Sequence, residues 1–337
     1  MTRSDRWFRE NIMNRTKYTG CEGQICGVEE HRLVGGKGDG MRLLQVRNGL
    51  GLEFTISLDR CADISRLGFK GDNMGYFAAC GYVAPQYYDK EGIGFLKSFT
   101  AGFLTTCGLT AVGSPCEDDG EILPLHGTVS HQPAERVSWE MDDEQIMVRA
   151  VVSEASLFGR KLQLDRTISC SKQENTLQIS DRITNLADQP SPLMLLYHFN
   201  MGYPLLSEKS QLKIPSTTVT PRNAHAAKDL DGWHQILPPT AKFEEQCYYH
   251  TFEKDGLASI YNPAICKGLE ICFDAQSLDY FTEWKMMGEK DYVLGLEPGN
   301  CHPDGRDKMR AQGKLKFVAP GESKTYQVQV RFFEDAS

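Results

Sequence analysis

Several things are scarce in this chain of 337 residues. It has no run of basic residues, and its formal charge of -8 has the same sign as the phosphates from which nucleic-acid binders draw most of their affinity. No nucleic-acid partner is expected. No stretch approaches the roughly 20 consecutive apolar residues of a membrane-spanning helix. Between Met1 and Arg15 only Trp7, Phe8, Ile12 and Met13 interrupt charged and polar residues, unlike the apolar core of an export signal. The expectation is a soluble, cytoplasmic protein with no membrane partner, monomeric or homodimeric. Repeats, low-complexity tracts and proline-rich linkers are also lacking. A single domain over residues 1–337 is therefore expected, with residues 1–30, the least regular part, as an N-terminal lead-in of helix and edge strand.

Cysteine is plentiful, eleven residues in all. Cys21 and Cys26 are separated by four residues, and the other nine lack the paired short spacings of zinc sites. Without an export signal these thiols are expected to be reduced and mostly buried, and no metal is expected.

Apolar residues at helical spacing are rare, whereas short alternating segments are common. Residues 43–46, 51–58, 137–139, 146–152, 161–169, 176–184, 193–199, 211–214, 257–261, 268–273, 292–296, 313–318 and 324–333 read as strands. Turn chemistry such as Lys37-Gly38-Asp39-Gly40 and Ala319-Pro320-Gly321 separates them. Many strands with frequent turns predict an all-β fold, a large antiparallel sandwich or barrel. The clearest local unit is a hairpin over residues 161–184, closed at Lys172-Gln173-Glu174-Asn175.

Polar, titratable residues concentrate in three places. His198 ends the apolar run Leu193 to Leu196 and is followed by Phe199, Asn200 and Gly202. A core histidine bonded to a carbonyl explains such a residue, and so does a ligand rim. Glu297 ends the apolar run Tyr292 to Leu296 and precedes a Pro-Gly turn, either as a solvated strand end or as a carboxylate tuned in a cleft. His126 precedes Gly127, and a glycine there marks close backbone approach by a ligand or another strand. His131, five residues on, faces away from His126 on a regular strand, which argues against a joint metal site.

Together these motifs resemble the galactose-mutarotase-like superfamily, and within it the aldose 1-epimerase-related proteins. Leu125-His126-Gly127 matches the family's first histidine motif, His198-Phe199-Asn200 its second, and Leu296-Glu297 with Pro303-Asp304 its late glutamate. The order agrees over most of residues 40–333, and the resemblance implies a sandwich fold of the galactose mutarotase type. The chain departs from the pattern where an arginine and asparagine signature normally precedes the first histidine; residues 98–108 stand there instead.

The resemblance implies exchange between the α- and β-anomers of a sugar, with no metal or other cofactor. Opening the hemiacetal needs a proton delivered to the ring oxygen and another removed from the anomeric hydroxyl. His198 is the implied acid and Glu297 the implied base, with His126 bonding the sugar oxygens. Arg222, Asp229 and Asp231 are candidates for the family's sugar-binding position after the second histidine. Arg60, Asp63, Trp284 and Lys285, on segments that the family places around its pocket, are further sugar-binding candidates, and Trp233 and His234 weaker ones. Two alternatives stay open: a carbohydrate-binding protein without activity on the same scaffold, and another sugar enzyme. A glycosidase needs a second carboxylate about 5–9.5 Å from the first, and the sequence names no partner for Glu297.

Overall fold

The computed structural model describes residues 17–335, and three antiparallel sheets dominate it. The largest has eight strands in the order Arg136–Met141, Gln145–Ala155, Lys161–Ser171, Thr176–Asn185, Ser323–Glu334, Lys267–Asp274, Asp255–Asn262 and Gln211–Lys213. A six-stranded sheet runs Thr218–Pro221, Gln246–Thr251, Tyr280–Met287, Tyr292–Gly299, Met194–Met201 and Leu104–Leu109. A five-stranded sheet follows chain order, from Gly27–Arg32 at its edge through Arg42–Arg47, Leu52–Ser57 and Asp63–Phe69 to Asp72–Asn73. The expected antiparallel β-sandwich is the architecture observed, and the 161–184 hairpin forms in the register Leu162↔Asn185 to Cys170↔Leu177. Of the lead-in segment 1–30, the described part holds a short 3-10 turn at Glu22–Gln24 and the start of the edge strand Gly27–Arg32; residues 1–16 lie outside the described residues.

Alternation explains the large sheet. In Lys161–Ser171 every second residue is buried, and Leu162, Leu164, Ile168 and Cys170 join one core. That core draws on all three sheets, with Phe54 and Ile64 from the smallest, Ile179 and Val328 from the largest, and Phe199 and Leu296 from the six-stranded one. Met194–Met201 differs in that all eight of its residues are buried. A continuous apolar run of this kind marks a strand covered on both faces. Its odd positions, Leu195, Tyr197, Phe199 and Met201, enter the main core. Met194 and Leu196, on the opposite face, join a second cluster with Cys107, Val112, Cys301 and Met309.

The strands Asp63–Phe69, Leu104–Leu109, Thr218–Pro221, Gln246–Thr251 and Tyr280–Met287 lie outside the sequence expectation, and one expected strand needs correction. Of residues 313–318 only Phe317–Val318 is a strand; Arg306–Ala311 is a short helix, and Gly313, at φ 67, turns the chain out of it. Tyr280–Met287 was not expected to be a strand because its pattern is inverted. Glu283 and Lys285 are buried on its inner face, where Glu283 Oε2 lies 3.3 Å from His250 Nε2 and Lys285 Nζ donates to the Gly232 carbonyl at 3.1 Å.

The sheets are tied together by one buried guanidinium. All five N–H groups of Arg166 are used: Nε and Nη2 grip both oxygens of Asp181 (2.9 and 2.6 Å), Nη1 reaches Asp63 Oδ1 (2.6 Å) and the Cys61 carbonyl (3.1 Å), and Nη2 also reaches Thr106 Oγ1 (2.7 Å). Tyr197 donates to the same Asp181 at 2.9 Å. Arg166 and Asp181 belong to the large sheet, Asp63 to the small one, and Thr106 and Tyr197 to the six-stranded one. Replacing Arg166 by leucine leaves two buried carboxylates without their cation, and the expected loss is about 3–5 kcal/mol. Tyr197→Phe is expected to cost about 1.5 kcal/mol, one hydrogen bond to a charged acceptor. Urea unfolding measures both; midpoints near wild type for Arg166→Leu would show that the clamp does not hold the sheets.

Candidate active site

The site is built on the outer face of the six-stranded sheet. Met194–Met201 pairs with Tyr292–Gly299 in the register Leu196↔Gly299 and Phe199↔Leu296, which sets His198 directly across from Glu297. The next pairing sets Thr282 across from Glu297 on the other side. Side chains opposite one another in a sheet meet, and His198 Nε2 lies 3.2 Å from Glu297 Oε1 without the alignment of a hydrogen bond. The carboxyl fits because position 295, two residues back on the same face, is glycine: a Cβ there would stand 2.4 Å from Glu297 Oε1. Asn300, just past the strand, accepts from Leu195 N (2.7 Å) and donates to the Leu193 carbonyl (3.1 Å), fixing the two strands end to end.

His126 comes from a loop. It is held at φ 58 by backbone bonds to Gly113 O (2.9 Å) and from Gly108 N (3.1 Å). Gly127 packs so tightly that a Cβ would fall 2.3 Å from Gly108 O. The close approach foreseen at Gly127 is therefore that of a strand backbone. Glu154 braces the same loop, accepting from Thr110 and Thr128 hydroxyls at 2.9 and 3.0 Å. The His126 and His198 rings meet edge to face at 5.7 Å, and Trp284 and Phe99 each approach His198 at 5.3 Å.

His126, His198, Glu297, Arg222 and Trp284 thus line one cavity of about 350 Å³, a size suited to a small ligand. Arg222 donates to Asp304 Oδ1 (3.0 Å), Ser114 Oγ (3.3 Å) and Pro303 O (3.2 Å). Trp284 Nε1 donates to Glu245 at 2.8 Å.

Arg60, Asp63 and Lys285 are not brought to this cavity. Asp63 serves the Arg166 clamp, and Lys285 points through the sheet because it is one residue out of phase with Trp284. Arg60 donates to Ser130 O (2.7 Å) and Val83 O (2.9 Å) and lies 3.1 Å from His131 Nε2, so it ties down the loop behind His126. Trp233, His234, Asp229 and Asp231 lie in or beside the turn at Leu230–Gly232, outside the cavity lining. Among the described residues no group of three or more His, Cys, Asp or Glu side chains is arranged to hold a metal ion.

Burial dominates the electrostatics. It lowers His198 to about 3, helped by the neighbouring His126, and lowers His126 to about 4, helped by the charge of Arg222. Burial also raises the Glu297 carboxyl well above the usual range, against the pull of Arg222. Cys247, another lining residue, is pushed up to about 12, leaving an unreactive thiol. His126 Nδ1, His198 Nδ1, Glu297 Oε1 and Thr282 Oγ1 are buried and have no hydrogen-bond partner among the described residues. Thr282, Glu245 and Phe99 escaped the sequence reading. Thr282 follows from Trp284 by alternation once Tyr280–Met287 is a strand; Phe99, in the segment that departs from the mutarotase pattern, carried no signal of its own.

The model of a family described as a domain of unknown function, DUF4432, matches residues 38–332. No curated protein matches the sequence. Among solved structures, a candidate aldose 1-epimerase from Klebsiella pneumoniae subsp. pneumoniae MGH 78578 is 28% identical, with a TM-score of 0.87 over 93% of this chain and 86% of that one. A galactose mutarotase-like protein from Clostridium acetobutylicum is 14% identical, with a TM-score of 0.65 over 93% of this chain and 100% of that one. Galactose 1-epimerase from Lactobacillus acidophilus NCFM is 14% identical, with a TM-score of 0.63 over 92% of this chain and 100% of that one. The last two likenesses concern the fold alone. With that fold, of the galactose-mutarotase superfamily, and a match spanning residues 38–332, the chain belongs to the DUF4432 family.

Proposed function

We propose that the chain is an aldose 1-epimerase, exchanging the α- and β-anomers of a free or modified aldose by ring opening between His198 and Glu297. The observation that carries this reading is the cross-strand pair itself, an imidazole and a carboxyl 3.2 Å apart in a buried cavity, each with an unpaired polar atom. Buried polar atoms left unpaired cost about 1–3 kcal/mol each, a cost that the hydroxyls and ring oxygen of a sugar would relieve.

Burial disfavours a charge on either partner, lowering the imidazole and raising the carboxyl, and the proposed chemistry has the pair share one proton and titrate as a unit. In this chemistry the proton starts on Glu297 and reaches His198 across the 3.2 Å gap once a bound sugar brings the two groups into line. From there it passes to the ring oxygen as the bond from the anomeric carbon to that oxygen breaks. Glu297 takes the proton of the anomeric hydroxyl as the carbonyl forms. After rotation about the first carbon–carbon bond, the reverse transfers close the ring on the other face and return the pair to its starting state. His126 and Thr282 offer hydrogen bonds to the sugar oxygens.

Saturation-transfer NMR of anomer exchange across a panel of aldoses tests the reading. Acceleration of at least one sugar is expected, with His198→Asn and Glu297→Gln each lowering it about 10²–10⁴-fold; wild-type rates in both variants, or no acceleration of any sugar, would sink it. Gly295→Ala, which crowds the carboxyl, is expected to cost about 100-fold while the protein stays folded. The pH profile gives an independent check. A histidine lowered to about 3 stays neutral through weak acid, so kcat/KM is expected to be flat from neutrality down to roughly pH 5, falling below that as the pair gains a second proton and falling in base as it loses its only one. A transition at the ordinary histidine value of about 6.5 would contradict it.

One observation favours a second reading. Glu245 brings another carboxylate to the cavity lining, and a glycosidase works with two carboxylates about 5–9.5 Å apart. Release of free sugar from aryl glycosides, abolished by Glu245→Gln, would support hydrolysis; no release leaves anomer exchange.

A further inference from the structure

We infer that the sugar is neutral and carries an apolar group, a methyl in the simplest case, at the end remote from its anomeric carbon, so that a 6-deoxyhexose fits better than the parent hexose. This rests on the anomer-exchange reading, because that chemistry fixes the anomeric carbon between His198 and Glu297 and turns the far end of the sugar towards the mouth. The unpaired polar atoms of the cavity belong to His126, His198, Thr282 and Glu297. The rest of the lining is largely apolar, with Phe95, Phe99, Pro115 and Leu125, and at the mouth Ile93 and Leu96, which are 66% and 54% exposed.

These two aliphatic side chains are held at the mouth by a built turn. Ile93 caps and Leu96 lies within the 3-10 turn Gly94–Lys97, Lys97 Nζ binds Asp89 Oδ2 at 2.7 Å, and a Cβ on Gly94 would stand 2.4 Å from Asp89 Cγ. Leu125 N, next to His126, donates to Gly92 O at 3.4 Å and fastens the turn to the catalytic loop. A methyl arriving here covers exposed hydrocarbon, whereas a hydroxymethyl group gives up its hydration for no partner. The charged side chains of the lining outside the His198–Glu297 pair are already engaged, Arg222 with Asp304 and Ser114, and Glu245 with Trp284. Charge also argues against an anionic sugar: Arg222, the single Lys or Arg of the lining, is already paired with Asp304, Glu245 adds a carboxylate to the same lining, and Arg60 and Lys285 are engaged elsewhere.

The test is equilibrium binding to the full chain of matched sets, each a hexose, its 6-deoxy counterpart and its 6-phosphate, in the galacto, gluco and manno series, with anomer exchange followed in the same samples. In at least one series the 6-deoxy sugar is expected to bind about tenfold tighter than the hexose, with the 6-phosphate weakest. The double variant Ile93→Ser, Leu96→Ser is expected to erase that preference by raising the Kd of the deoxy sugar. Equal or tighter binding of the hexose, tightest binding of the 6-phosphate, binding by no member, or a preference that survives the double variant would overturn the inference. The two failures are separable. A deoxy preference in binding, with no anomer exchange by the intact protein, would refute the epimerase reading and keep the ligand class; anomer exchange with the hexose preferred would do the reverse.

Discussion

The structure depends on a buried guanidinium. Arg166 sits where the three sheets meet, and each of its donors is matched by an acceptor on Asp181, Asp63, Thr106 or the Cys61 carbonyl. Apolar packing alone leaves sheets free to slide by small amounts, whereas a planar fork with fixed acceptors sets their relative position. Tyr197 reaches the same Asp181 from the strand that carries the next residue, His198. The inner face of that strand is thus anchored by a polar network while its outer face presents the imidazole, which inherits its position from the core.

Strand parity then distributes the chemistry. On Tyr280–Met287, Thr282 and Trp284 face the cavity while Glu283 and Lys285 face inward to His250 and Gly232. On Tyr292–Gly299, Leu294 and Leu296 enter the core and Glu297 faces out beside the gap left by Gly295. A one-residue slip between these strands would bury the wrong set on both faces, so the packing that stabilises the sheet also fixes the separation of His198 and Glu297. Both side chains are buried there, and desolvation pushes each towards its neutral form, lowering the imidazole and raising the carboxyl. Two groups of unlike chemistry made to share one proton are what reversible proton shuttling requires.

Much of the fold was legible in the sequence because most strands obey the period-two rule, as in the Lys161–Ser171 and Thr176–Asn185 hairpin. It was illegible where burial is paid in polar coin, since Tyr280–Met287 carries charges on its inner face and reads as a loop. The three residues proposed for catalysis were legible because each stands at the end of an apolar run or beside a glycine. Arg60 and Asp63 are charges interrupting an apolar segment, which signals burial, and sequence does not separate a buried clamp from a ligand site; Lys285 adjoins Trp284 in sequence, and strand alternation turns it to the opposite face. Only the register, which joins residues about a hundred positions apart, brings His198 to Glu297 and excludes the others.

The most direct measurement is an NMR titration of the His198 imidazole in histidine-labelled protein, with its signals assigned by comparison with His198→Asn. Buried beside Glu297, whose carboxyl is itself raised by burial, the ring is expected to stay neutral from pH 8 down to roughly pH 5, charging only in stronger acid. An imidazolium forming with a midpoint near the ordinary value of about 6.5 would show a solvated histidine, and the one-proton pair on which the proposed chemistry rests would not exist.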